Sequence, residues 1–159
     1  MSHLVVFSLE GQRYALPLSA VDRVIHAVEV ISLPKAPEMV LGVINMQGRV
    51  IPVLDLRKCL RLPPGDMELS DHLIIAHTSR WKVALVVNEV HGIIERSEQE
   101  VVAAERIFPG IEHIGGVVKL EDGIMLIHDL EKSISMDEER SLAEAMKEKG
   151  EVNRAPRHF

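Results

Sequence analysis

Short apolar runs separated by turn residues fill the first 135 positions, and this pattern predicts strands rather than helices. Leu4 to Leu9 reads as a buried strand, Glu10-Gly11-Gln12 as a turn, and Arg13 to Leu18 as a returning strand. Ser19 is placed to cap a short helical turn through Ala20, Val21, Asp22 and Arg23, and Val28 to Leu33 reads as a third strand. Pro37 to Gly42 has proline at its first position and glycine at its end, the signature of one helical turn. Strands Val43 to Met46 and Arg49 to Leu54 follow, joined at Gln47-Gly48. Pro52 lacks a ladder donor, so its strand is expected at an edge or at a bulge. Leu62-Pro63-Pro64-Gly65-Asp66 is the clearest loop and the expected boundary between two halves.

The second half repeats this style. Leu73 to His77 and Val83 to Val87 read as a hairpin around Ser79-Arg80, followed by strands near Val90 to Ile94, Gly116 to Leu120 and Ile124 to Ile127. Ser97 to Gly115 reads as partly helical early and then as loop. Asp137 to Lys149 is a terminal helix with Leu142 and Met146 on one face and Gly150 at its end. Residues 151–159 read as a mobile, mildly basic tail.

The two halves also align with each other. An offset of 74 lays Gly42, Val43, Asp55, Leu56 and Lys58 on Gly116, Val117, Asp129, Leu130 and Lys132, all identical. An offset of 69 pairs Ala15, Leu16 and Val21 with Ala84, Leu85 and Val90. The expectation is one domain over residues 1–150 built from two lobes, residues 4–62 and 71–135, on one plan. Short, closely spaced strands suggest small barrels, and two such barrels leave a groove between them.

Composition changes this picture little. Apolar residues are 47% and aromatics only 3%, so Val, Ile and Leu must build the core. A net charge of −6 disfavours nucleic acid and anionic membrane as partners. No apolar run approaches a membrane span, and Met1-Ser2-His3 does not open a signal peptide, so a cytoplasmic location is expected.

Candidate chemistry is sparse. Eight histidines invite a metal reading, yet His26, His72 and His77 show no ligand spacing, and surface or strand-end roles fit them better. Asp55 and Asp129 are either a carboxylate pair for acid–base work or twin caps of the turns Asp-Leu-Arg-Lys and Asp-Leu-Glu-Lys, and capping fits better. The single cysteine, Cys59, reads as a small buried apolar group. Trp81 is equally a contact hot spot or a packed residue, and the terminal helix packs on its own barrels or on a partner. Neither a phosphate loop nor a nucleophile elbow is present, and no cofactor is implied.

The run Gly42-Val43-Ile44-Asn45-Met46-Gln47-Gly48-Arg49-Val50-Ile51-Pro52-Val53-Leu54-Asp55-Leu56-Arg57 resembles the signature of the CheW family of chemotaxis coupling proteins. Phe7 to Leu18 is similar to that family's opening hairpin, Val83 to Val90 to its central strand, and Gly116 to Ile134 to its closing hairpin. The resemblance implies an all-β fold of two intertwined five-stranded SH3-like barrels with a C-terminal helix. It implies a non-enzymatic adaptor between the cytoplasmic tip of methyl-accepting chemoreceptors and the regulatory domain of a CheA-type histidine kinase. Mapped through the motif, Val21, Arg23, Val24, Asn45, Gln47 and Val90 fall at the receptor-binding groove, and Met39, Val40 and Leu41 on the surface toward the kinase.

Two positions depart from the family. Arg23 stands where a glutamate is usual, and Gln47 where an arginine is usual. Changing both members of an ion pair avoids stranding one charge, so the pair is replaced rather than broken. The departure implies an alternative in which the protein serves a divergent chemosensory system, such as one controlling pili. A small metal-dependent enzyme using His26, His72, His77, Asp55 or Asp129 is the rival of another class.

Overall fold

The computed structural model describes residues 2–107 and 113–148. The expected tail at 151–159, and Gly150 as the end of the last helix, lie outside the described residues. Strands β1 (Ser2–Leu9) and β2 (Gln12–Pro17) form the opening hairpin. A 3-10 turn at Leu18–Ala20 leads into β3 (Val21–His26). β4 (Val40–Met46), β5 (Arg49–Leu54) and helix α1 (Leu56–Cys59) complete the first half. The second half contains β6 (His72–His77), β7 (Lys82–Val87), β8 (Glu89–Arg96), β9 (Val101–Ala103) and helix α2 (Ala104–Ile107). It closes with β10 (Ile114–Leu120), β11 (Gly123–His128) and helix α3 (Met136–Glu148).

Two sheets result, in the orders β8-β1-β2-β11-β10-β9 and β3-β6-β7-β5-β4. Each sheet mixes strands of both halves, so the expected intertwining is present. One sheet has six strands rather than five, because β9 adds to it. The offsets reappear as strand pairing. Val53 pairs in parallel with Ala84, and Ile127 pairs in parallel with Ala15. A bulge between Val40 and Gly42 has its counterpart between Ile114 and Gly116. The Asp55 amide donates to the Met39 carbonyl at 2.7 Å, and the Asp129 amide to the His113 carbonyl at 2.7 Å.

Packing explains the continuous apolar runs. Phe7 and Leu9 join a central cluster with Leu16, Leu54, Ile74 and Leu85, while Leu4 and Val6 join a separate cluster with Ala15, Val118 and Met125. β1 is thus buried on both faces, and alternation of polar and apolar positions disappears. β6 repeats this, with Ile74 and Ala76 in the central cluster and Leu73 and Ile75 in a third one.

Four expectations need correction. The third strand is Val21–His26, not Val28 to Leu33, and the helical turn stops at Ala20. Ile31 makes a single bridge to Val43, with reciprocal amide–carbonyl bonds of 2.8 Å. Its counterpart Val102 sits in β9, where the ladder to β10 runs to three pairs and counts as a strand. The stretch from Pro37 is a turn only, and β4 starts at Val40. Gly42 is required there by close approach, since a Cβ would stand 2.3 Å from the Ile31 carbonyl oxygen.

Pro52 lies in an interior strand, and the pairing shows why this is tolerated. Gln47 and Gly48 have φ of 54° and 85°, the type I′ turn of a tight hairpin, so Met46 and Arg49 form a hydrogen-bonded pair. Pairs alternate from there, which makes Val43 opposite Pro52 a non-hydrogen-bonded pair. The proline nitrogen therefore faces β7, whose ladder with β5 begins only at Val53.

Ser97 to Ala103 forms a capped 3-10 turn and β9, and α2 follows. α3 starts one residue before expectation because Ser135 and Glu138 cap it reciprocally, at 3.1 and 2.9 Å. Leu142 and Met146 are buried in the central cluster, so the helix packs on its own barrels.

Candidate functional site

The outer strands β3 and β8 occupy equivalent places in the two sheets. Each carries a bulge, between Val21 and Arg23 in one and between Val90 and Gly92 in the other. Val21 pairs with Ala76 and Val90 with Phe7, and both valines pack, half-buried, against the central cluster. Cross-strand partners share a face. Val24 stands opposite Ile74, a member of that same cluster, and is 39% exposed. Val21 and Val24 therefore present apolar surface beside the seam between the sheets.

Arg23 stands opposite Ile75, which belongs to the third cluster, so it occupies the other face of β3. Its side chain makes no hydrogen bond or ion pair among the described residues. The adjacent Asp22 does not neutralise it, being held by His77 at 3.0 Å and Lys82 at 3.4 Å. Gln47 is exposed at its hairpin tip and makes no bond to Arg23. Asn45 braces that hairpin, its Oδ1 accepting the Gly48 amide at 3.0 Å. The six groove candidates thus divide: Val21, Val24 and Val90 on the seam face, Arg23 on the opposite face, and Asn45 with Gln47 at a turn.

Sequence reasoning missed one member of this surface. Ile93 is 57% exposed and stands opposite Val5 in β8. The offset of 69 that relates Val21 to Val90 also relates Val24 to Ile93, so the signal was present and needed only to be carried three residues further.

The three residues expected at the kinase surface also divide. Met39, in the turn before β4, and Val40, at the bulge that opens β4, are buried in the central cluster and are not surface residues. Leu41 is 40% exposed, with Ile31 at 45% and Val28 at 43% on the neighbouring strand-like segment.

The remaining candidates carry structural duties. Asp55 caps α1, its Oδ1 accepting the Arg57 amide at 3.0 Å. Asp129 makes no such cap and lies 3.9 Å from Lys132, so the expected twin caps are one cap. Burial, with the Asp55 and Glu138 charges, pushes the Cys59 thiol up to about 12. It stays protonated and is no nucleophile. Burial and the nearby His113 lower His128 to about 4, and its Nε2 meets Ser133 Oγ at 2.7 Å. Trp81 is packed in the central cluster, which decides between its two readings. His26 and His72 lie ring to ring at 5.1 Å, and no group of three metal-ligating residues exists among the described residues.

Val21, Val24, Val90 and Ile93 thus place apolar surface on two equivalent outer strands, beside Asp22 and Asn45, which are engaged within the fold, and Arg23, which is not. The chain belongs to the CheW-like domain family, whose model matches residues 3–138. It is 26% identical over 146 residues to the chemotaxis protein CheW of Treponema pallidum, covering 88% of this chain and 86% of that one. It is 27% identical over 128 residues to CheW of Thermotoga maritima, covering 80% and 84%. The crystal structure of the scaffolding protein TtCheW from Thermoanaerobacter tengcongensis superposes with a TM-score of 0.76 at 27% identity, covering 86% of this chain and 94% of that one.

Proposed function

We propose that this protein is a cytoplasmic, non-enzymatic adaptor of chemotaxis signalling that couples methyl-accepting chemoreceptors to a CheA-type histidine kinase. The observation that carries the reading is the paired apolar lips, Val21 with Val24 and Val90 with Ile93, on strands that occupy equivalent edges of a CheW-like fold. Receptor helices bury their apolar stripe on these lips, and the kinase regulatory domain meets the edge marked by Leu41, Ile31 and Val28. Binding alone transmits the signal. No described helix is long and apolar enough to cross a membrane, in keeping with an adaptor that reaches the membrane through its receptor.

Titration calorimetry against a chemoreceptor cytoplasmic fragment and a kinase regulatory domain from the same organism tests this. Val24→Asp and Ile93→Asp, both at exposed positions, are expected to weaken receptor binding at least about tenfold and to leave kinase binding unchanged. Leu41→Asp is expected to do the reverse. Retained receptor binding in both lip variants would overturn the groove assignment, and binding of neither partner by the unmodified protein would overturn the adaptor reading.

A further inference from the structure

A cavity of about 690 Å³ opens where the ends of β1 and β2 face β9, β11 and the β6–β7 turn. Leu4, Val101 and Ile127 line it with apolar surface, and Glu98, Asp129 and Glu131 stand around it with carboxylates. The offsets carry Leu4, Ile127, Asp129 and Glu131 onto Leu73, Val53, Asp55 and Arg57 of the other lobe.

At that equivalent place the chain covers itself. The connection after α1 leaves with the Leu62 amide donating to the Arg57 carbonyl at 2.7 Å, and Leu62 packs against the central cluster. Gly65 passes so close to Arg57 that a Cβ would lie 2.9 Å from the guanidinium carbon. Met67 then packs against the cluster that contains Val53 and Leu73. Leu62-Pro63-Pro64-Gly65-Asp66-Met67 is thus an extended cover over an apolar floor. Its effect shows in exposure: Val53 is 0% exposed and the Arg57 side chain 14%, whereas Ile127 is half-buried and Glu131 exposed. Among the described residues no segment covers the second place.

The two places also differ in charge. Arg57 is neutralised by Glu10. Glu131 holds only the Ser79 amide and hydroxyl, at 2.8 to 3.0 Å, and no cation pairs with it or with Glu98 among the described residues. Asp129 has Lys132 no nearer than 3.9 Å.

We infer that this open groove binds an extended segment of a partner protein that carries an apolar residue flanked by lysine or arginine. The covered lobe supplies the geometry of such a complex. The acidic rim supplies its sign, because a cationic segment meets uncompensated carboxylates and an anionic one is repelled. This surface shares no lining residue with the strand lips, and it adds a contact to the adaptor reading without depending on it.

The test uses the full chain and two fluorescent peptides patterned on the covering segment, Lys-Leu-Pro-Pro-Gly-Lys-Met and Glu-Leu-Pro-Pro-Gly-Glu-Met, read by anisotropy at low salt. The basic peptide is expected to bind, and the acidic one to bind at least about tenfold more weakly. Ala103→Trp blocks the cavity from the exposed side of β9, and Ser19→Trp blocks it from the opposite wall, so misfolding of one variant leaves the other to decide. Either folded variant is expected to lower affinity about tenfold or more. Glu98→Gln with Glu131→Gln is expected to bring the basic peptide down to the acidic one. Equal binding of the two peptides, indifference to both tryptophans, or no saturation by about 1 mM would overturn the inference. Self-association abolished by Ala103→Trp would assign the groove to a second copy and overturn it too.

Discussion

Replacing Gly42 by alanine tests how the single Ile31–Val43 bridge holds the edge of the second sheet. The new methyl would stand 2.3 Å from the Ile31 carbonyl oxygen, 2.9 Å from its carbon and 2.9 Å from Val30 Cγ1. Two of these atoms are backbone, so no rotamer change relieves the clash and the segment must move away. Both 2.8 Å bonds of the bridge are then lost. Each contributes about 1 kcal/mol net, which sets a cost of about 2 kcal/mol. The equivalent Gly116 supplies the control. There the nearest atom is Val101 Cγ1 at 2.7 Å, a side chain that can rotate, and the nearest backbone atom is 3.4 Å away. Three ladder pairs hold that segment rather than one bridge, so Gly116→Ala should cost under about 1 kcal/mol. Urea unfolding followed by the fluorescence of buried Trp81 reads both. With a slope of about 2 kcal/mol/M, Gly42→Ala lowers the midpoint by about 1 M, and Gly116→Ala by less than half of that. Equal shifts, or the reverse order, would refute the reasoning.

Three further outcomes are expected. Leu142→Ala empties a fully buried site under α3 and should cost about 2–5 kcal/mol in the same urea assay. His128 titrates near 6.5 when unfolded and at about 4 when folded, so the unfolded state takes up the proton first. Its contribution is present above pH 6.5 and is lost as pH falls toward 4, about 3 kcal/mol in all. Thermal melts across this window should therefore be flatter for His128→Gln, whatever its absolute stability. Asp55→Ala removes a cap and should cost about 1 kcal/mol, while Asp129→Ala, which removes none, should cost less by paired urea titrations.

The strands were legible where turn or cap residues bounded an apolar run. Arg49–Leu54 and the hairpin turn Gln47-Gly48 stand where the pattern placed them. The third strand was misplaced because Val28 to Leu33 is as β-prone as Val21 to His26, and only the tertiary partner distinguishes them: β6 for one, a single bridge for the other. Pro52 misled because the rule for edge strands concerns donors, and a ladder that starts one residue later has no donor to lose. Of the site, the valines were legible through the repeat. Burial of Met39 and Val40 was not, since neither the turn before β4 nor the bulge after Val40 leaves a mark in an apolar run. The open cavity was illegible for the same kind of reason, since its evidence is that no described segment covers it as the other lobe is covered.

The interlacing of the two halves also governs how the chain is made. Sheet one needs β1 and β2 from the start of the chain and β10 and β11 from near its end. During synthesis the opening hairpin therefore leaves the ribosome long before the neighbours that shield it exist. Leu4, Val6 and Ala15 wait for Val118 and Met125, which complete their cluster, until β10 and β11 have been made. A stalled or truncated product would display those surfaces permanently and become a substrate for chaperones or proteases. A nascent chain arrested before residue 114 should stay protease-sensitive throughout, including the segment that becomes the most buried part of the finished protein.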